Sequence, residues 1–129
     1  MPPKPAAPPK KRGVTYDTVR ALALQLPGVA EGTSYGTSAL KVAGKLFIRL
    51  KEDGETIVLR TDFLEREHLT RTAPKTFFVT DHYRDYPWVL VRLAAITRAR
   101  VLPLVDDAWR RTAPKRLLAA HDSARATKR

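Results

Sequence analysis

The fold is decided by residues 39–60, which read ALKVAGKLFIRLKEDGETIVLR. Two pairs typical of tight turns, Ala43-Gly44 and Asp53-Gly54, divide this stretch into three short runs, because glycine adopts the positive φ angles that such turns need. In the middle run, leucine and isoleucine alternate with charged residues and one phenylalanine, which is the period of a strand with one buried face. The pattern predicts a three-stranded antiparallel meander at 39–42, 45–51 and 55–60, with Leu46, Ile48 and Leu50 in the core and Lys45, Arg49 and Lys51 exposed.

Amphipathic helices on both sides of the meander can supply the apolar cover that three strands need. Helical spacing of apolar residues predicts a first helix from Thr15 to Leu26, a last long helix at about 102–113, and a short helix at 115–121. Pro103 is predicted to lie in the first turn of the long helix or to kink it. A middle helix is predicted to begin at Asp62, an N-cap followed three residues later by a glutamate. Its apolar side is predicted to consist of Phe63, Leu64 and Leu69, with His68 near the buried edge, and its solvent side of Glu65, Arg66, Glu67 and Arg71.

Two more short strands, at 76–79 and 88–93, are predicted to form a hairpin around a polar turn at 81–87. Residues 31–38, EGTSYGTS, are predicted to be a polar loop. The fold class predicted from these elements is α+β, with an antiparallel sheet of about five strands, a meander plus a hairpin, packed by N- and C-terminal amphipathic helices. The predicted element order is α-βββ-α-ββ-α.

Positive charge is concentrated near the two ends of the chain. The 129 residues carry a formal net charge of +11, of which residues 1–13 and 115–129 contribute +4 each and residues 14–114 contribute +3. The predicted organisation is a disordered basic tail rich in Pro, Ala and Lys at 1–13, a single domain at 14–121 and a basic C-terminal tail at 122–129. Basic tails attract polyanions without sequence preference, or simply aid solubility.

Composition and motifs exclude several classes of protein. The chain has no cysteine, which excludes disulfides, Cys-ligated zinc and iron–sulfur clusters and is compatible with a reducing cytoplasm. No apolar run approaches the roughly 18 residues of a membrane span, and the N-terminal residues lack the apolar stretch of a secretory signal. The histidines His68, His82 and His121 show no metal-ligand spacing. We therefore expect a cytoplasmic, non-enzymatic protein without catalytic residues, metal or cofactor, with a monomer favoured.

The turn DHYRDYPW at residues 81–88 is the densest mixture of aromatic, basic and titratable side chains. Such a mixture can stack on nucleobases and contact phosphates. Alternatively, its tyrosines and tryptophan pack on the sheet edge while their polar ends stay in water. The candidate nucleic-acid contacts are His82, Tyr83, Arg84 and Trp88 in this turn, Arg92 beyond it, Lys41, Lys45, Arg49 and Lys51 in the meander, and Arg110, Arg111, Lys115 and Arg116 in the last helices.

Short motifs follow one another in a distinctive order: Leu26-Pro27-Gly28-Val29, then Leu40–Phe47, a His-Tyr turn, Trp88–Leu93, Asp107-Ala108-Trp109 and Ala113–Leu117. Over roughly residues 15–120, this order resembles the MmcQ/YjbR family of small bacterial proteins. The resemblance implies an α+β fold with helices packed on an antiparallel sheet. It also implies DNA binding in a double-wing arrangement, in which loops and strand edges meet DNA. It supplies no catalytic residues.

Two binding functions remain open at this point, beside a third alternative, an enzyme, for which the sequence shows no activating pair of residues. The first is a DNA-binding protein of weak sequence preference that contacts phosphates through basic loops, strand edges and tails, with an affinity that falls as salt rises. The second is a small-molecule or partner-protein binding module with a pocket between the 31–38 loop and the 81–88 turn, whose ligand should raise the melting temperature. The acidic tip of the meander, with Glu52, Asp53 and Glu55, argues against contact between that hairpin and DNA.

Overall fold

The protein is built on one antiparallel sheet, described here from a computed structural model that covers residues 13–127. Spatially the strands follow the order β1-β2-β3-β4-β6-β5, so that the second hairpin extends the meander through β6. The α+β class is confirmed, with six strands and four helices in the described part of the chain. The strands are β1 (Val29–Ser34), β2 (Thr37–Val42), β3 (Lys45–Leu50), β4 (Thr56–Arg60), β5 (Phe77–Phe78) and β6 (Trp88–Arg92), and the helices are α1 (Tyr16–Leu24), α2 (Phe63–Thr72), α3 (Arg98–Thr112) and α4 (Lys115–Thr127).

Helices α1 and α3 cover one face of the sheet and form the main core with it. Val19 of α1 and Trp109 of α3 are fully buried, and the indole Nε1 of Trp109 donates a hydrogen bond to the carbonyl oxygen of Pro27 at 2.9 Å. Helix α3 begins at Arg98, so Pro103 lies inside it and not in its first turn, the first of the two predicted alternatives. Proline has no N–H to donate to the carbonyl of Ala99, four residues earlier. Ala99 and Pro103 are both exposed, so water can bind this carbonyl and the helix continues.

The pairing of β2 with β3 contains a register shift between Leu40 and Lys41. Leu40 lies opposite Ile48, whereas Lys41 lies opposite Leu46, so Phe47 is an extra residue on β3. An extra residue of this kind is a β-bulge, and it breaks the strict alternation of side chains along the strand.

The bulge corrects the assignment of faces along β3. Ile48 and Leu50 contribute to the main core as predicted, but the fully buried Phe47 joins them there. Leu46 instead lines a cavity on the opposite face of the sheet. Arg49, expected to be exposed, is only 3% exposed. The prediction of Leu46 as a core residue and Arg49 as a surface residue was therefore wrong.

Residues 31–38 form a hairpin and not the expected loop. Strand β1 pairs with β2 along its whole length, and the two strands meet at the turn Tyr35-Gly36. Both turn residues have positive φ angles, 53° for Tyr35 and 80° for Gly36, as a type I′ hairpin turn requires. Strand β1 is an exposed edge strand held by backbone hydrogen bonds, so its sequence carries no alternation of buried and exposed side chains.

Helix α2 begins as predicted, with the Asp62 side chain accepting a hydrogen bond from the backbone N–H of Glu65 at 2.7 Å. Its predicted faces were partly wrong. Leu69 is buried, but Phe63 and Leu64 are 51% and 79% exposed. Arg66, expected in solvent, turns toward residues 83–88, and His68 is exposed.

The last helix is longer than the predicted helix at 115–121. Helix α4 continues to Thr127, through most of the predicted basic tail at 122–129. Arg110 of α3 pairs with both Asp106 and Asp122, which ties α4 to α3. The predicted N-terminal tail lies outside the described residues except for Gly13. Within residues 13–127, none of the helices is long and apolar enough to cross a membrane.

Candidate ligand-binding cleft

A cavity of about 350 Å³ opens on the sheet face opposite α1 and α3. Strands β3, β4 and β6 form its floor. Its walls come from the β1–β2 turn and from residues 81–88, which we call the aromatic turn. We call this cavity the aromatic cleft, and its lining consists of Tyr35, Leu46, Arg49, Val58, His82, Tyr83, Tyr86 and Trp88.

The strand register explains how the floor is assembled. Arg49 of β3 lies opposite Val58 of β4, and Val58 lies opposite Leu90 of β6. Val58, Leu90 and Tyr83 form a small buried cluster separate from the main core, with Phe78 and Trp88 packed against it. The floor of the cleft is therefore a second apolar core, which the aromatic turn covers only in part.

Arg49 connects three turns through one buried guanidinium group, whose side chain is 4% exposed. Its Nε donates to the carbonyl oxygen of Ser34 at 3.2 Å, its Nη1 to the Tyr83 hydroxyl at 3.1 Å, and its Nη2 to the Glu52 carboxylate at 2.6 Å. Three of the five N–H donors are used, and two have no partner among the described residues. The β1–β2 turn, the β3–β4 turn and the aromatic turn are thereby held around one positive charge.

Aromatic rings surround this guanidinium on its open side. The ring of Tyr35, which is 72% exposed, lies 4.9 Å from the guanidinium carbon of Arg49, a cation–π distance. His82 contacts Tyr35 and Tyr83 edge to face, with ring centroids at 6.3 and 4.6 Å. Tyr86, 58% exposed, contributes to the opposite wall. The cleft thus presents π faces next to one fixed cation.

Arg66 of α2 holds the aromatic turn in place from outside the cleft. Its Nη1 donates to the carbonyl oxygens of Tyr83 at 3.1 Å, Tyr86 at 2.8 Å and Trp88 at 3.2 Å. Its Nη2 donates to the carbonyl oxygen of Arg84 at 2.9 Å. A single side chain therefore binds four of the eight carbonyl groups of the aromatic turn.

A second cavity of about 220 Å³ adjoins the aromatic cleft and shares Tyr35, Arg49, His82 and Tyr83 with it. Lys51 and Glu52 complete its lining. A backbone hydrogen bond, opposed by burial and aided by the charges of Arg49 and Lys51, holds the pKa of Glu52 below its usual range. The Glu52 carboxylate is therefore ionised at neutral pH and brings a negative charge to this smaller cavity.

A further cavity of about 430 Å³ lies between α2 and the start of the aromatic turn. Its lining includes Phe63, Glu67, Thr80 and Asp81, and none of its lining residues is buried. A shallow polar depression of this kind holds a ligand poorly, because small-molecule sites are typically concave and mostly apolar. The aromatic cleft is the better candidate despite its smaller volume.

Five of the residues predicted from sequence meet at the two adjoining cavities: Arg49, Lys51, His82, Tyr83 and Trp88. Lys41 and Lys45 lie along the β2–β3 hairpin, and Arg84 is exposed and pairs with Asp81. Arg92 lies over the Phe78 ring at 4.0 Å and donates to the carbonyls of Pro74 and Lys75.

The remaining predicted residues lie on the helices. Arg110 pairs with Asp106 and Asp122, and Arg111 pairs with Asp107 and Asp62. Lys115 and Arg116 are exposed on α4. The structure therefore divides the predicted contacts between two sides of the sheet.

Sequence reasoning missed Tyr35, Leu46 and Val58 as lining residues of the cleft and Arg66 as the support of the aromatic turn. The one local signal was at Tyr35, an aromatic residue in a turn with glycine.

No group of three or more histidine and acidic side chains within residues 13–127 is arranged to hold a metal ion. The donors and rings of the cleft instead fit an organic ligand. Arginine and tyrosine donate hydrogen bonds, and the tyrosine and tryptophan rings offer apolar faces.

Comparisons with known proteins identify relatives of the region that contains the cleft. A family model described as YjbR matches residues 24–111. The uncharacterized protein Rv2570 of Mycobacterium tuberculosis is 34% identical over 73 residues, which cover 57% of this chain and 49% of that protein. The uncharacterized protein Mb2600 of Mycobacterium bovis matches to the same extent. The chain thus spans about half the length of these relatives.

A solved structure is similar over most of the fold. The crystal structure of Deinococcus radiodurans protein DR2400, with a DUF419 domain, superposes with a TM-score of 0.64 and covers 81% of this chain and 80% of its own. The two sequences are 19% identical, so the similarity is one of fold.

Proposed function

The chain belongs to the YjbR family, and we propose that it is a non-enzymatic binding module that takes a small molecule with a flat ring into the aromatic cleft. The observation that carries the proposal is the convergence of aromatic side chains on one concave space. Tyr35 comes from the β1–β2 turn, Tyr83 and Tyr86 from the aromatic turn, and Trp88 from β6. Small-molecule sites are typically concave, mostly apolar, and supplied with a few fixed polar groups.

The size and rigidity of the cleft favour a small ligand. A volume of about 350 Å³ lies near the lower end of the roughly 300–1,000 Å³ that is usual for such sites. The Arg49 and Arg66 hydrogen bonds hold the walls before any ligand arrives. Pre-organisation of this kind lowers the entropic cost of binding. A ligand the size of one or two fused rings fits these properties better than a protein surface does.

Binding of a ring compound can be tested by thermal shift and calorimetry on the full chain. Tyr35→Ala and Tyr86→Ala remove exposed rings from the cleft and should abolish the stabilisation by ligand without unfolding the protein. Leu64→Ala is the matched control, because Leu64 is 79% exposed, similar to Tyr35 at 72%, but lies outside the cleft. Flat melting curves across a broad panel of ring compounds, or equal losses in all three variants, would refute the proposal.

DNA binding is the second candidate function, favoured by the net charge of +11 and by the exposed Lys45, Lys115 and Arg116. In a double-wing arrangement, the hairpin tips at 35–36 and 51–55 would meet the duplex. The acidic residues of the second tip oppose such contact. We propose that either function is exercised in the cytoplasm, with which a chain without cysteine is compatible.

DNA binding by the folded domain can be separated from attraction by the N-terminal charges. Helix α4 extends to Thr127, so truncation at the C-terminus would damage the fold, and substitution of Lys4, Lys10, Lys11 and Arg12 by glutamine is the cleaner change. If the folded domain binds DNA, affinity for the duplex should survive this change. The logarithm of the binding constant should then fall linearly with the logarithm of the salt concentration. Loss of all affinity with the tail charges would exclude the domain as the DNA reader.

A further inference from the structure

We propose that the ligand of the aromatic cleft carries an anionic group, a carboxylate or a phosphate, and that this group replaces the Glu52 carboxylate on the guanidinium of Arg49. The inference rests on the proposed function and deepens it by naming the chemical class of the ligand. The ligand is then a flat ring with one anionic group a few bonds away. Glu52 acts as the intramolecular occupant of the anion position.

The pair between Arg49 and Glu52 is unequal in a way that suits replacement. The Arg49 side chain is 4% exposed, whereas the Glu52 side chain is 64% exposed. A buried guanidinium requires acceptors, because a charge removed from water is costly unless it is paired and hydrogen-bonded. An exposed carboxylate on a turn loses little when it returns to water, since ion pairs with solvent access contribute little. The anion position on Arg49 is thus necessary, but Glu52 is a replaceable occupant.

The two adjoining cavities give the ligand its shape. The aromatic cleft is apolar at the end formed by Leu46, Val58 and Trp88. The smaller cavity shares four lining residues with it and adds the charged side chains of Lys51 and Glu52. Arg49 borders both cavities, so a ring at the apolar end brings a substituent directly to the guanidinium.

The polar groups around Arg49, where the two cavities meet, are mostly hydrogen-bond donors. Arg49 retains two N–H groups without partners among the described residues, and Lys51 adds a second positive charge. The Tyr83 oxygen accepts from Arg49, so the Tyr83 hydroxyl hydrogen remains available for donation. Among residues 13–127, Glu52 is the one acidic side chain that lines either cavity. A surplus of donors matches a ligand group that only accepts, as carboxylates and phosphates do.

The test compares matched ligands that differ in charge, by calorimetry on the full chain at low salt. One pair is indole-3-acetate and indole-3-acetamide, and the other is adenosine 5′-monophosphate and adenosine. We expect the anionic member of at least one pair to bind about tenfold more tightly, as a charge-assisted hydrogen bond to arginine implies. If the anionic indole binds more tightly than its amide, the anion is a carboxylate; if the nucleotide binds more tightly than the nucleoside, it is a phosphate.

Two substitutions on the same turn separate replacement of Glu52 from a general change of charge. Glu52→Gln should tighten binding of the anionic ligand about threefold or more and leave the neutral ligand unchanged, because the competing carboxylate is gone. Glu55→Gln removes the same charge from an exposed residue that does not contact Arg49, and should have a smaller effect. Lys51→Gln should weaken the anionic ligand without affecting the fold.

The outcomes distinguish the inference from the function on which it rests. If both members of each pair bind equally and Glu52→Gln changes nothing, the inference is overturned while the ring-binding function stands. Equal effects of Glu52→Gln and Glu55→Gln would also overturn replacement, since they would reflect charge alone. If no ring compound binds, both proposals are overturned.

Discussion

Replacement of Arg66 by alanine should loosen the aromatic turn and destabilise the protein. Arg66 donates to four backbone carbonyls, of residues 83, 84, 86 and 88, at distances from 2.8 to 3.2 Å. Its guanidinium carbon also lies 4.9 Å from the centre of the Phe63 ring. Alanine removes all these contacts while it preserves the helix, because alanine is the best helix former.

The expected loss of stability follows from the number and exposure of these hydrogen bonds. A hydrogen bond from a charged group contributes about 1.5–3 kcal/mol on its own. Three of the four bonds share the two hydrogens of Nη1, and the Tyr86 and Arg84 carbonyls can turn to water, so the contributions do not add. We expect a total loss of about 2–3 kcal/mol in the free energy of unfolding. At about 4 °C per kcal/mol for a domain of this size, the melting temperature should fall by roughly 10 °C.

Urea denaturation and thermal melts provide the measurement, and Arg71→Ala is the matched control. Arg71 lies on the same helix, is 64% exposed, and makes one contact with Glu67 at 3.7 Å, so its replacement should cost less than about 0.5 kcal/mol. Arg66→Ala should also weaken ring binding, because the turn carries Tyr83 and Tyr86. Equal stability of the two variants would show that the Arg66 hydrogen bonds do not hold the turn.

Three further predictions test the β3 bulge, a buried hydroxyl and a helix cap. Phe47→Ala should lower the free energy of unfolding by about 3–5 kcal/mol, whereas Leu46→Ala should cost less than about 2 kcal/mol and weaken ligand binding; equal losses in urea would contradict the register shift. Thr61→Val should raise the free energy of unfolding by about 1 kcal/mol, because the Thr61 Oγ1 is buried without a partner in the described part of the chain; a lower melting temperature would count against this reasoning. Hydrogen bonds from the Glu65 backbone and the Arg111 side chain lower the pKa of Asp62 below its ordinary value of 3.8. The stability from Asp62 is therefore present above that value and lost as pH falls through the folded-state pKa, so urea midpoints measured from about pH 5 to pH 2 should fall more steeply for the natural protein than for Asp62→Asn.

Local signals in the sequence predict much of the fold. The turns at Ala43-Gly44 and Asp53-Gly54 and the N-cap at Asp62 are encoded by neighbouring residues, and the structure confirms all three. Strand β1 was not predictable in this way, because its exposed residues are held by pairing with β2 and not by burial. The bulge at Phe47 was hidden because a single extra apolar residue does not disturb the apparent alternation of Leu46, Ile48 and Leu50.

The candidate cleft was predictable only in outline. The sequence indicates a pocket between residues 31–38 and 81–88, and the structure contains a cavity bordered by both segments. The role of Arg49 could not be inferred, because its partners Ser34 and Tyr83 are 15 and 34 residues away. The same applies to Arg66, whose partners lie 17 to 22 residues along the chain. Long-range contacts of charged side chains leave no periodic signal.

The position of the cleft at the junction of β4 and β6 has a consequence for folding kinetics. Tyr35 and Arg49 belong to the first hairpins, whereas Tyr83 and Trp88 belong to the last one, and the pairing of β4 with β6 joins the two parts. The cleft therefore forms only when this non-local pairing closes, a slow class of event in folding. A bound ligand should stabilise the pairing of β4 with β6, because it contacts residues from both parts of the sheet. Amide hydrogens of β4 and β6 should then exchange only by global unfolding.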